Sequence, residues 1–344
     1  MTLVNPHEFR TPEFVKKYGP VVTKNDVPYP AELVFNAGIT KYNNKYVMIF
    51  RNDYGFCRQD FADFYAGISD NTSPQTNIGL AFSDDGINWS VEPTPCWDVE
   101  PLRAKDPEVS RIYDPRMTVI DGKCYVCFAM NTLHGLRGGI AVTEDFDQFD
   151  IISLTAPDNR KMVLFPEKIN GLFMRLERPM PVYSRGRNKE AFDLWSSVSP
   201  DLEFWGRTKL VLGKEQVPFA GSKIGPGAPP VKTKEGWLCT YHAVKNMDVD
   251  LYAWERSWRK AYYGGLMLLD LEDPSKIISI AEKPLLMPDS DYELDGFRGS
   301  VIFPGGMILE DNGEVKIYYG AADTVECLAT ADVNDLLKFV KNEI

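Results

Sequence analysis

The sequence predicts an all-β fold, a five-bladed β-propeller with short terminal helices. Three observations carry that expectation. Helical periodicity is confined to residues 11–18 and 333–342. The rest consists of short β-rich runs broken by Gly, Asn, Asp and Pro. One hairpin theme then recurs five times, each copy followed by a second strand pair.

The first hairpin runs from 37 to 51 and turns at Asn43-Asn44. The second runs from 116 to 128 and turns at Asp121-Gly122, and the third runs from 163 to 176 around Asn170-Gly171. The fourth spans 228–241 with Lys234-Glu-Gly236 at its tip, and the fifth spans 306–319 with Asp311-Asn-Gly313. Asn-Gly and Asp-Gly at a tight turn are the strongest short-range hairpin signal, because both residues accept a positive φ. Partner segments follow at 78–91, 139–152, 192–212, 261–280 and 325–331. A ring of such blades leaves only short, protected edges. A two-sheet sandwich is the alternative, but the strand count exceeds what most sandwiches hold. The fifth blade lacks a strand at its C-terminal end, and the N-terminal segment is the candidate to supply it. Residues 1–344 therefore read as one propeller domain, with 1–30 as an extension that helps close the ring or contacts a partner. That extension and the long loops are compatible with a homodimer, which no residue demands.

Composition narrows the partners. The chain has 344 residues, 44% hydrophobic and 25% charged, enough to bury a large core. Lys+Arg number 38 against 49 Asp+Glu, a net charge of −11. That balance argues against nucleic acid or anionic membrane and makes any local basic cluster deliberate. No apolar run flanked by positive charge opens the sequence, and none approaches bilayer length, so a cytoplasmic protein with six reduced cysteines is expected. Cys124 and Cys127 lie three apart on a strand, hence on opposite faces, and read as packing residues rather than a redox or zinc pair. Three histidines without ligand spacing support no metal.

Inner strands of a propeller line its channel, so polar groups flanking the hairpins should converge on one pocket. Asn36, Arg51 and Asp53 flank the first hairpin, and Tyr113-Asp114-Pro115-Arg116 leads into the second. Arg160 and Glu177-Arg178 flank the third, with Glu167 inside it. Lys223 and His242 flank the fourth, and Asp323 follows the fifth. Asp114, Asp53, Asp323, Glu167 and Glu177 are carboxylates suited to sugar hydroxyls and proton transfer. Arg160, Arg178, Lys223 and His242 are cationic or potentially so, and repel one another unless an anion joins them. Taken singly, each is more often a salt-bridged strand end, a turn former or a structural histidine. Taken together at matching positions, they favour a site.

The same residues carry a family resemblance. Tyr113-Asp-Pro-Arg116, Val163-Leu-Phe-Pro-Glu-Lys-Ile-Asn-Gly171, Arg178-Pro179, Lys223-Ile-Gly-Pro-Gly227, Gly236-Trp-Leu, Tyr241-His242 and Tyr318-Tyr-Gly-Ala-Ala-Asp323 resemble the signature of glycoside hydrolase family 130, from about residue 36 to 331. The resemblance implies a five-bladed propeller and an inverting phosphorylase of β-mannosides, with inorganic phosphate as co-substrate and no cofactor. It places Asp114 on the catalytic acid and Arg160, Arg178, Lys223 and His242 on the phosphate ligands. Asn36, Arg51, Asp53 and Asp323 fall on mannosyl-binding positions; Arg116, Glu167 and Glu177 join them as substrate-binding candidates. Phosphate is already an anionic nucleophile, so the base of an ordinary inverting glycosidase becomes unnecessary. The proton of Asp114 is implied to travel through the 3-hydroxyl of the bound mannose. Residues 176–186 and 244–260, the latter with Trp254 and Trp258, are where the acceptor sugar should be read. They look most similar to members acting on β-1,2-linked mannobiose and short mannooligosaccharides. The rivals are a β-1,4-mannoside phosphorylase, a β-mannosidase using water, a furanosidase-type propeller hydrolase and a non-catalytic glycan-binding propeller.

Overall fold

All five predicted hairpins form, and each opens a separate antiparallel sheet. The computed structural model describes residues 3–69, 74–104, 106–180 and 192–344. After β1 (Lys16–Val22), blade 1 holds β2 (Leu33–Tyr42), β3 (Lys45–Tyr54), helix α1 (Arg58–Tyr65), β4 (Gln75–Ser83) and β5 (Ser90–Val91). Helix α2 (Glu100–Arg103) leads to blade 2, with β6 (Val109–Ile120), β7 (Lys123–Thr132), β8 (Gly135–Thr143) and β9 (Asp150–Leu154). Blade 3 comprises β10 (Asn159–Leu164), β11 (Phe173–Pro179), β12 (Leu194–Ser199) and β13 (Gly206–Leu212). Blade 4 holds β14 (Lys223–Pro226), β15 (Val231–Lys232), β16 (Trp237–Asn246), β17 (Lys260–Leu269) and β18 (Ile277–Ile280). Helix α3 (Asp291–Leu294) precedes blade 5, with β19 (Ile302–Leu309), β20 (Glu314–Ala321), β21 (Val325–Asp332) and the closing helix α4 (Val333–Val340).

Five sheets in place of two exclude the sandwich. Within each, sequential strands are neighbours from the channel outward, and the inner strands β2, β6, β10, β14 and β19 face their counterparts in adjacent blades. The inner strand of blade 4 is split, with β14 and β15 both pairing β16. Outermost in blade 5 is β1, antiparallel to β21. The expected helix over residues 11–18 is instead a turn at 13–15 that runs into strand β1 from residue 16. Gly19 at φ 93° and Pro20 interrupt helical continuation, and the free edge of β21 offers backbone partners a short isolated helix could not match. The C-terminal helix forms as expected, capped by Asp332.

The core lies between blades. Strand alternation sends successive residues to opposite faces, and each face packs on a different neighbouring blade. Met48 and Phe50 of β3 join the cluster shared with blade 5, whereas Val47 and Ile49 join the one shared with blade 2. Strands buried on both faces need no polar face, so Tyr46–Phe50 reads as continuous apolar sequence. Cys124 and Cys127 fall into different inter-blade clusters, as the strand reading requires. The six cysteines are unpaired.

Candidate active site

One irregularity, repeated in three blades, builds the site. Strand β2 loses register with β3 between Phe35 and Gly38, β6 with β7 between Tyr113 and Arg116, and β10 with β11 between Arg160 and Val163. At these bulges stand Asn36 (φ 53°), Asp114 (φ 53°) and Lys161 (φ 65°). A bulge breaks the in–out alternation and re-aims a side chain, here toward the channel. Asn and Asp tolerate the left-handed region; a lysine there costs on the order of 1 kcal/mol, a cost met by its surroundings.

The three bulge residues meet. Asn36 Nδ2 donates to Asp114 Oδ1 at 3.0 Å, and the Lys161 ammonium ion-pairs with Asp114 Oδ2. Arg51 Nη1 adds a contact to Oδ1 at 3.2 Å. Burial alone would push the Asp114 carboxyl up, but Lys161 and then Arg51 outweigh it and hold it well below the usual range. Burial lowers Lys161 to about 7, opposed by Asp114 and reinforced by Arg160.

These groups line a cavity of about 230 Å³ that also takes in Arg160, Arg178, Lys223 and His242. Arg178 Nη1 donates to His242 Nε2 at 3.0 Å. A guanidinium can only donate, so Nε2 accepts and the imidazole proton sits on Nδ1. Burial first, then Arg178, Lys161 and Lys223, hold His242 well below its ordinary pKa. His242 thus serves the cluster as a neutral donor, not a cation. Burial and Arg160 also lower Arg178, to about 10. Three buried donors, Arg160 Nε, Arg178 Nε and His242 Nδ1, have no hydrogen-bond partner among the described residues. Converging cations with unused donors are the chemistry of an anion cradle. Gly225 makes the approach of blades 3 and 4 practicable: a Cβ there would stand 2.5 Å from His242 Cε1 and 3.1 Å from Arg178 Cδ.

Of the sequence-predicted residues, Asp114, Arg160, Arg178, Lys223, His242, Asn36, Arg51 and Asp323 share this cavity. Four others lie elsewhere. Asp53 is fully buried behind Arg51, bonded to Arg51, Arg111 and Thr76. Arg116 spends its donors on the carbonyls of Asn36, Pro115, Gly227 and Pro304, riveting four blades. Glu167 is 47% exposed and pairs with Lys232. Glu177 is buried in the cleft between blades 2 and 3, bonded to Arg175 and Asn159. Its neighbour Arg178 points into the cavity, so strand alternation alone sends Glu177 away. In the segments expected to read the acceptor, residues 181–186 lie outside the described residues. Trp254 packs against Phe56, Phe61 and Phe297, while Trp258 stacks on Tyr262 and donates to Gly299 O; neither lines the cavity.

The structure also brings in residues that sequence reasoning missed. Lys161 is one. Asn36 and Asp114 each precede their hairpin turn by seven residues, but Lys161 precedes Asn170 by nine, which hid the equivalence. Tyr113 is a hub: Arg160 donates to its hydroxyl, which donates to Asn131 Oδ1 at 2.8 Å, and four cations surround its ring. Arg298, held by Glu255, stands 3.7 Å from Asp323. Burial raises Asp323, against the pull of Arg298 and Arg51.

Fold and pocket together define a propeller whose cavity sets the Asp114 carboxyl group beside a cluster of basic side chains. The chain belongs to glycoside hydrolase family 130, whose model, described as beta-1,4-mannooligosaccharide phosphorylase, matches residues 7–342. It is 33% identical over 223 residues to a beta-1,2-mannobiose phosphorylase of Listeria innocua, covering 64% of this chain and 58% of that protein. It is 31% identical over 332 residues to a beta-1,4-mannooligosaccharide phosphorylase of Ruminococcus albus, covering 94% and 89%. A solved structure of a beta-1,2-mannobiose phosphorylase from Listeria innocua, in complex with beta-1,2-mannobiose, superposes with a TM-score of 0.77 at 26% identity, over 95% of this chain and 99% of that one.

Proposed function

We propose that the protein phosphorolyses β-1,2-linked mannobiose or short β-mannooligosaccharides with inversion, giving α-mannose 1-phosphate and a sugar shortened by one unit. The observation that carries this is the meeting of Asp114 with Arg160, Arg178, Lys223 and neutral His242 in one cavity. In this reading Asp114 is the acid and the basic cluster holds phosphate against the anomeric carbon. Phosphate attacks from the face opposite the leaving oxygen, the glycosidic bond breaks, and the leaving oxygen takes the proton that originates on Asp114. Asn36, Arg51 and Asp323 hold the mannosyl unit. Asp53 acts through Arg51, and Arg116 through the backbone of the bulges. Phosphate is a co-substrate, and the scheme requires no other group.

Glu167 and Glu177 lie outside the cavity, which leaves Asp323 as the second carboxylate lining it among the described residues. A hydrolase would need such a group to activate water. Its association with Arg298 suits it better to bind a sugar hydroxyl. The charged product suits a cytoplasmic enzyme, and no helix of the described residues is long and apolar enough to cross a membrane.

Incubation with β-1,2-mannobiose, with and without phosphate, tests the reading. Mannose 1-phosphate should form only when phosphate is present. Equal mannose release in phosphate-free buffer would establish hydrolysis instead. A parallel series with β-1,4-mannobiose decides the linkage, which the β-1,4 relative keeps in play.

A further inference from the structure

We infer that anion binding and protonation of Asp114 are coupled through Lys161, so that Asp114 becomes an acid only when phosphate fills the basic cluster. This deepens the phosphorylase reading and rests on it. An acid must carry a proton, yet the arrangement around Asp114 favours its ionised form. Oδ2 is ion-paired with Lys161, and Oδ1 accepts from Asn36 and Arg51. Without an anion, the carboxylate is itself the counter-ion of the cluster's nearest cation.

Lys161 stands on the border of the two chemistries. Its backbone neighbour is Arg160, and its ammonium lies 4.5 Å from the centre of the Phe303 ring, whose centroid is 4.6 Å from that of His242. Asp114 is the ion-pair partner of Lys161. A dianion among Arg160, Arg178 and Lys223 offers Lys161 a second and stronger partner. It also places negative charge near Asp114, and like charge at close range disfavours a second carboxylate. Both effects add a proton to Asp114.

Other charged groups face Asp114 from the surrounding elements. Arg51 comes from β3, Arg111 and Arg116 from its own strand β6, and Arg178 from β11. Asp323 lies in the β20–β21 turn and Glu326 on β21. Arg51 and Arg111 are already engaged with Asp53, and Arg116 with main-chain carbonyls. Of the cations around Asp114, Lys161 is therefore the one placed to change partners. Linkage makes the effect reciprocal: protonation of Asp114 strengthens anion binding by the factor by which the anion strengthens protonation.

Such coupling would suppress wasteful hydrolysis, since water in the empty cradle would meet an enzyme without its acid. Sulfate is the probe, because it keeps both charges across the neutral range and does not titrate with the protein. Its binding is followed by calorimetry and its effect by difference infrared spectroscopy near neutral pH. The expected result is a protonated-carboxyl carbonyl band that appears when sulfate binds and is missing in Asp114→Asn. In Lys161→Gln, sulfate should still bind through the remaining cations, but the band should no longer depend on it. Sulfate binding with no new band in the wild type would overturn the coupling and leave the phosphorylase reading intact. An equal sulfate-dependent band in Lys161→Gln would remove Lys161 from it. Failure of both sulfate and phosphate to bind would overturn the phosphorylase reading itself, and the coupling with it.

Discussion

Asn36 and Asp114 occupy the same bulge in neighbouring blades, both at φ 53°, and the Asn36 amide donates to Asp114 Oδ1 at 3.0 Å. The two residues thus support one another across a blade boundary, and the orientation of the Asp114 carboxyl group depends on blade packing. Asp114→Asn should keep the fold and lower turnover by about 100- to 10,000-fold, the range of a lost general acid. Asn36→Ala should lower kcat less, by roughly 10-fold, for one lost hydrogen bond and a left-handed alanine. Circular dichroism and initial rates on the two variants check both statements.

Gly320 protects that pair from behind. A Cβ there would stand 2.3 Å from Asn36 Oδ1 and 2.8 Å from Asn36 N, so Gly320→Ala must displace the bulge. A stability loss of about 1–3 kcal/mol is expected, together with a fall in kcat resembling that of Asn36→Ala. Wild-type kcat in the alanine variant would show that the bulge does not position the acid.

Arg178 bridges His242 and the cluster. Arg178→Ala should raise the KM for phosphate while leaving the fold intact, at a cost of roughly 2–5 kcal/mol, about 30-fold and upward. Arg178→Lys should recover little, because an ammonium cannot supply two parallel donors to phosphate and also reach His242 Nε2. Steady-state kinetics with phosphate varied at saturating mannoside measures this.

Glu326 is fully buried under the Asn36 bulge, where its Oε2 accepts from Ala37 N at 3.0 Å. Burial raises its carboxyl to about 8, against smaller lowering by that main-chain bond and by Arg116. A carboxyl raised in the folded state favours folding below its unfolded pKa, about 4.5, and that contribution is lost as pH rises through the folded value. The melting temperature should fall between these limits. Glu326→Gln, which keeps the shape and an acceptor without titrating, should flatten that part of the profile. An unchanged slope would assign the pH dependence to another group.

Lys17 ties the outer strand of blade 5 to α3, reaching Asp289 at 2.5 Å and Glu293 at 2.8 Å. Glu293 has no exposed surface. Lys17→Met leaves that carboxylate buried without its cation, and breaking such a pair costs about 3–5 kcal/mol. Chemical denaturation should show a loss of that size, with KM unchanged in the surviving folded fraction.

The sequence by itself determined the blade count, the hairpin turns, the C-terminal helix and most of the cavity. These depend on local chemistry: turn residues that accept a positive φ, apolar runs buried on both faces, and polar groups where inner strands meet the channel. Tertiary structure decided the rest. The N-terminal stretch became a strand because β21 had an unpaired edge. Glu177 turned away while Arg178 turned in, since adjacent strand residues face opposite sides. Arg160 and Lys161 both reach the cavity because a bulge suspends that rule, and no pattern in the sequence marks where a bulge falls. Asp53 and Arg116 resembled ligands, yet Asp53 is held by Arg51 of its own strand, Arg111 of the next blade and Thr76, and Arg116 by carbonyls from four blades. Which buried charge meets a substrate and which meets another protein atom depends on distances between blades, and only the closed ring sets those.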